Sequence, residues 1–158
     1  MLKGKKVGVI GGGKMGGALI GGILARHLLP AEAVMVADAD HKQREEVKKV
    51  HGVQVTESNR MAAKAAQVII LAVKPQNMAE VLGDISGVVD KSKLVISIAA
   101  GIPIRFIAER LKTGVRIIRT MPNTPALIGE GMAALAAGPA ATAEDMTIAL
   151  HIFNAVGK

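Results

Sequence analysis

The sequence predicts a doubly wound α/β domain, a mostly parallel sheet with helices on both faces. Three observations carry this. Short apolar runs alternate with segments of helical spacing along the whole chain. The first run empties into a glycine cluster that opens a helix. Half of the 158 residues are hydrophobic, yet there are only two Phe and no Trp or Tyr. Small aliphatic side chains must fill such a core, as in sheets whose strands are buried on both faces.

The elements follow in order. Val7-Gly8-Val9-Ile10 is a buried strand entering the turn Gly11-Gly12-Gly13. Met15 to His27 carries apolar residues at helical spacing, and Pro30 stops it. Ala33 to Ala37 is a second strand. Asp40 caps a charged helix over His41 to Val50, which Gly52 ends. Val53 to Thr56 is a third strand, and Ser58 or Asn59 caps an alanine-rich helix ending near Ala65. Val68 to Val73 is the most apolar strand. Pro75 fits the first turn of a helix running to about Ile85. Leu94 to Ile98 is a fifth strand, and Pro103 opens a helix that ends before Gly114. Val115 to Ile118 is a sixth strand, leading into a Thr120–Pro125 loop. Met132 to Ala136 is a candidate seventh, within an alanine-rich stretch over 133–143 that otherwise reads as loop. Thr142 caps a last helix, with Glu144 and Asp145 suiting its dipole, and it ends before Gly157.

Composition excludes several function classes. No cysteine means no disulfide, no zinc–thiolate site and no cysteine nucleophile. The net charge is +7, but no Lys/Arg block tracks a phosphate backbone and almost no aromatic ring is present for base stacking. We therefore read a solvated basic surface and no nucleic-acid partner, with a field that also favours small anions. His27, His41, His51 and His151 have no metal spacing, so no metal is expected. No apolar run reaches the roughly 18 residues of a membrane span. The chain is expected to be soluble, cytoplasmic and without a membrane partner.

Gly11-Gly12-Gly13-Lys14-Met15-Gly16 matches G-x-G-x-x-G at a strand–helix junction, a Rossmann-like dinucleotide fingerprint. Gly11 allows the tight turn, Gly13 lets a pyrophosphate approach the backbone, and Gly16 lets the helix pack close to the strand. Lys14 either adds charge against the pyrophosphate or points into solvent. Asp38 ends the second strand, where a carboxylate accepts hydrogen bonds from the adenosine ribose. That leans toward NADH. Lys42 and Arg44 are near enough in sequence to neutralise a 2′-phosphate, so NADH and NADPH both stay open.

Later segments are more specific. Leu71-Ala72-Val73-Lys74-Pro75-Gln76, Ser97-Ile98-Ala99-Ala100-Gly101-Ile102, Met121-Pro122-Asn123-Thr124-Pro125-Ala126-Leu127 and Gly129-Glu130-Gly131-Met132 occur in that order. With the closing Ala155-Val156-Gly157-Lys158, the whole chain resembles the N-terminal domain of pyrroline-5-carboxylate reductases. The resemblance implies NAD(P)H-dependent reduction of 1-pyrroline-5-carboxylate to L-proline. It implies pyrophosphate binding by Ile10 to Met15. It places Asn59, Ala72, Val73, Lys74, Pro75, Ala99 and Ala100 along the adenosine and nicotinamide sides, and Asn123 and Thr124 at the reacting end. It also implies a homo-oligomeric full-length enzyme with a following helical domain that supplies the substrate carboxylate pocket.

Two features depart from the pattern. Asp38-Ala39-Asp40 stands where NADP-preferring members carry basic or small polar groups, and the chain ends at Lys158 without the expected Ser/Gly-rich segment. Residues 1–158 are accordingly read as one domain of a two-domain enzyme, able to bind cofactor but not to turn over alone. A β-hydroxyacid or prephenate dehydrogenase domain, or a non-catalytic nucleotide-sensing module, are the alternatives.

Overall fold

Runs of three to seven residues with few polar side chains build the sheet. They are β1 (Val7–Ile10), β2 (Val34–Ala37), β3 (Gln54–Thr56), β4 (Val68–Leu71), β5 (Leu94–Ser97), β6 (Arg116–Pro122) and β7 (Ala133–Ala137). The computed structural model describes residues 2–158. The strand order is β3-β2-β1-β4-β5-β6-β7. Pairing is parallel from β3 to β6, and β7 joins β6 antiparallel, Thr120 opposite Leu135. The doubly wound, mostly parallel α/β sheet read from the sequence is therefore borne out.

The helices are α1 (Lys14–Ala25), α2 (His41–His51), α3 (Asn59–Ala65), α4 (Met78–Ile85), α5 (Ile104–Arg110) and α6 (Ala143–Asn154). Side chains alternate across each strand, so each strand feeds two cores. Val7, Val9, Ile70, Ile96 and Ile118 pack with α1, α2 and α6. Ile10, Ile69, Leu71, Val95 and Ile117 pack with α3, α4 and α5. Gly8 in the middle of β1 is what lets α3 lie close: a Cβ there would stand 2.7 Å from the Ala62 carbonyl. No described helix is long and apolar enough to cross a membrane.

Several caps form as read. The Asp40 side chain accepts from the Lys42 N–H, Ser58 rather than Asn59 accepts from the Met61 N–H, and Gly52 is left-handed at φ 68°. Thr142 and Asp145 exchange bonds in a capping box. Other boundaries differ from the sequence reading. α1 stops at Ala25, before His27 and well before Pro30. There His27 adopts φ 53° while the His27 N–H donates to Leu24 and the Leu28 N–H to Ile23. This is a Schellman turn, and histidine is among the residues that tolerate the left-handed position. β4 and β5 end at Leu71 and Ser97, short of Val73 and Ile98. β6 runs on through Pro122, because β7 supplies it with an antiparallel partner on the outer side. Short 3-10 turns at Ala31–Ala33, Pro75–Asn77 and Thr124–Ile128 were not legible in the pattern.

One ion pair docks α6. Asp145 is fully buried and accepts from Arg116 Nη1 at 2.6 Å, while its other oxygen accepts from the Thr142 N–H. Arg116 also donates from Nη2 to the Ser92 carbonyl. Asp145→Asn keeps the cap acceptor and removes the charge facing the guanidinium. We expect a loss of about 2–4 kcal/mol, seen as a lower urea midpoint with an unchanged slope.

His51 ends α2 with its ring against Gly21 of α1, and burial holds its pKa below the ordinary histidine value. The unfolded chain therefore binds the extra proton more readily. Stability is complete above the ordinary pKa, about 6.5, and falls as pH drops from there through the lowered folded value. Unfolding free energies measured between pH 7 and 5 should fall less steeply in His51→Gln than in the parent.

Candidate functional site

The site begins where β1 ends. Ala72 donates its N–H to the Ile10 carbonyl, and Gly11 donates to the Ala37 carbonyl, both at 2.8 Å. The chain enters the sheet between β2 and β4 and turns out sharply at Gly11, φ 102°. A Cβ on Gly11 would stand 2.5 Å from the Ala72 carbonyl oxygen. Only glycine fits both the dihedral and the space. Gly16, in the first turn of α1, packs against the Gly11 carbonyl itself, which a Cβ would overlap. Gly13 is different. Its φ is −71°, and a Cβ there would meet nothing within 4 Å. It faces open space at the start of α1, which has no side-chain cap and no acidic residue in its first turn. The first N–H groups of that helix lack intrahelical acceptors, an arrangement suited to an anion.

The strand order reverses here. From β1 the chain proceeds to β2 and β3 on one side, then crosses to β4 on the other. A crevice opens outside the carboxyl ends at such a switch point. The cleft found there has a volume of about 360 Å³. Of the residues expected from sequence, it brings together Gly11, Gly13, Asp38, Asn59, Ala72, Val73 and Lys74. It adds Ala37, Asp40, Gln43 and Asn77, which sequence reasoning missed. Asp40 was legible as the α2 cap and within the acidic Asp38-Ala39-Asp40 run but not as cleft lining, and Gln43 had no signal beyond lying just after a βα turn. Asn77 lies one residue past the Lys74-Pro75-Gln76 motif.

Asp38 has two jobs. Its Oδ2 accepts from the Gly12 N–H at 2.8 Å and its Oδ1 from the Asp40 N–H at 2.9 Å. The carboxylate thus braces the glycine turn as well as lining the cleft. Arg44 lies over the same turn, donating from Nη1 to the carbonyls of Asp38 and Ala39.

Other expected residues lie outside this cleft. Ile10 is a core residue, 1% exposed, and its carbonyl is taken by Ala72, so it has nothing to offer a ligand. Gly12 is buried and its N–H is committed to Asp38. Met15 packs against the core, and Lys14 is exposed at the helix start. Pro75 opens a 3-10 turn whose last residue, Asn77, lines the cleft, but Pro75 itself does not. Ala99 is buried and Ala100 exposed, after β5. Asn123 and Thr124 are exposed, after β6. Asn123 Oδ1 accepts from the Met132 N–H at 2.8 Å, which ties the loop to the start of β7. These loops follow parallel strands, so they share the cleft's edge of the sheet. No cluster of metal-ligating side chains occurs among the described residues.

Residues 6–101, which contain the whole cleft, match the family described as NADP oxidoreductase, coenzyme F420-dependent. The chain belongs to this family. Its relatives bear out the resemblance read from the sequence motifs. The pyrroline-5-carboxylate reductase of Methanosarcina acetivorans is 36% identical over 156 residues, covering 99% of this chain and 58% of that protein. The solved pyrroline-5-carboxylate reductase of Coxiella burnetii gives a TM-score of 0.92 at 31% identity, covering 97% of this chain and 57% of that one. The pyrroline carboxylate reductase of Plasmodium falciparum, solved with NADP bound, gives 0.85 at 31%, over 98% and 56%. The chain thus spans a little over half the length of these relatives. A prephenate dehydrogenase from A. aeolicus gives 0.81 at 12% identity, a likeness of fold alone.

The glycines of this NADP oxidoreductase-family turn should separate by mutation. Gly11→Ala meets both a left-handed dihedral and the Ala72 carbonyl, so we expect a loss of about 2 kcal/mol or more. Gly13→Ala meets neither and should stay within about 0.5 kcal/mol of the parent in thermal or urea unfolding.

Proposed function

We propose that this chain is the dinucleotide-binding part of a pyrroline-5-carboxylate reductase, which reduces 1-pyrroline-5-carboxylate to L-proline. The observation that carries the proposal is the open space at Gly13, set at the start of an uncapped helix and at the switch point of the sheet. A pyrophosphate needs that room and those N–H groups. The residues present fit a nicotinamide dinucleotide, which when bound supplies the hydride.

The chain's own residues bind and orient. Gly13, Lys14 and Met15 present backbone N–H groups to the pyrophosphate. Asp38 and Asn59 serve the adenosine half, beside the wall made by Ala72, Val73 and Lys74. Ala99, Ala100, Asn123 and Thr124 continue along the same edge toward the reacting end. Holding reactants in register there can supply about 7–11 kcal/mol of the barrier.

The substrate carboxylate calls for a cation, and three arginines are engaged elsewhere. Arg105 pairs with Glu109, Arg110 lies over the Phe106 ring, and Arg116 holds Asp145. We therefore expect residues 1–158 alone to bind cofactor without turnover, and the assembled enzyme to be a homo-oligomer. Titration of NADH, followed by addition of 1-pyrroline-5-carboxylate, tests the reading. Binding should be abolished by Gly13→Val with circular dichroism unchanged. Equal affinities would remove the site from this turn, and turnover of about 1–10³ s⁻¹ by this chain would place the substrate site within it.

Within that reading we place NADH ahead of NADPH. Asp38 and Asp40 both line the cleft, and a 2′-phosphate would meet two carboxylates. Arg44, one of the two nearby cations read from the sequence, already donates from Nη1 to two carbonyls. Asp38→Ser should lower NADH affinity and move the NADH/NADPH ratio about tenfold toward NADPH. Tighter binding of NADPH than NADH by the parent chain would refute the assignment.

A further inference from the structure

Asn59 stands at the first position of α3 and lines the cleft. Its side-chain amide is held from outside the cleft. Nδ2 donates to Oδ2 of Asp84 at 3.0 Å. An ionised carboxylate only accepts, so the amide oxygen cannot exchange places with the nitrogen. With one Nδ2 N–H given to Asp84, the amide keeps Oδ1 as its acceptor for the cleft that Asn59 lines. An unheld asparagine would offer a ligand either its donor or its acceptor end.

We propose that Asp84 is a positioning residue of the nucleotide site, fixing the Asn59 amide so that its oxygen accepts from a hydroxyl or amino group of the adenosine half. This rests on the dinucleotide reading above. The geometry favours a specific role. Asp84 is exposed, while its neighbours Val81, Leu82 and Ile85 fill the core, so its carboxylate is not needed for packing. The bond also ties α3, whose first residue lines the cleft, to α4, the helix that follows the lining residues Lys74 and Asn77. α4 follows the Ala72–Lys74 segment and the Pro75–Asn77 turn, and α3 starts at Asn59 itself.

The test is a double-mutant cycle on binding, with ADP-ribose and NADH titrated calorimetrically into the 158-residue chain. Asp84→Ala should weaken both ligands about five- to tenfold. Asn59→Ala should weaken them at least as much. In the Asn59→Ala background, adding Asp84→Ala should cost nothing further, because the residue acts only through Asn59. Melting temperatures should agree across the four proteins. A merely structural tie between the helices would instead lower the melting temperature of Asp84→Ala, and that result overturns the proposal. So does an Asp84→Ala chain that binds like the parent. A parent chain that takes up neither ligand would refute the dinucleotide site itself, and this inference with it.

Discussion

The functional end of the molecule depends on one close approach of backbone to backbone. β1 ends between two neighbours, and Gly11 sits so near the Ala72 carbonyl that no side chain fits between them. Gly16 then brings α1 down onto the Gly11 carbonyl. Separate these three segments by the width of a methyl group and the helix start moves away from the sheet edge. The Asp38 carboxylate completes the arrangement by bracing the Gly12 and Asp40 N–H groups. What results is a rigid turn whose exposed face, at Gly13, carries no side chain.

The two ends of the sheet treat helix termini in opposite ways. At the carboxyl end, α2 and α3 are closed by Asp40 and Ser58, while α1 is left uncapped at the glycine turn. Its free N–H groups are the ones a phosphate would use. At the far end, exposed carbonyls are satisfied internally. Lys93 donates from Nζ to the carbonyls of Ala63, Lys64 and Ala66 at 2.7, 2.9 and 2.6 Å, closing α3. Burial lowers the Lys93 pKa, and nearby Asp90 opposes that shift. The Arg116–Asp145 pair lies at the same end and fixes α6. Lys93 thus has structural work to do at a helix C-terminus, where cations are favoured.

Much of the architecture was legible because local rules and global fold agree. The apolar runs of β1, β2, β4 and β5, the caps at Asp40, Ser58 and Thr142, and the left-handed Gly52 each follow from a few adjacent residues. The misread places are those where a distant segment decides. β6 extends through Pro122 because β7 pairs with it, and α1 ends at a Schellman turn built on histidine rather than at the proline. Ile10 entered the candidate site through the family resemblance, but strand alternation turns its side chain into the core.

By itself the sequence determined the order of strands and helices, the glycine turn and the ligand class that turn suits, since spacing and side-chain chemistry are local properties. Only the tertiary structure decided which segments face one cleft, because the strand order 3-2-1-4 brings Asp38, Asn59 and Val73 to the same switch point. It also decided what each polar group has left to give. Each Asp38 oxygen accepts from one backbone N–H and keeps a further lone pair, Arg44 gives Nη1 to two carbonyls, and Asn59 is oriented by Asp84 across 25 residues of sequence. The bonds to Asp38 from Gly12 and to Asp84 from Asn59 join distant segments, and no local pattern of residues records them.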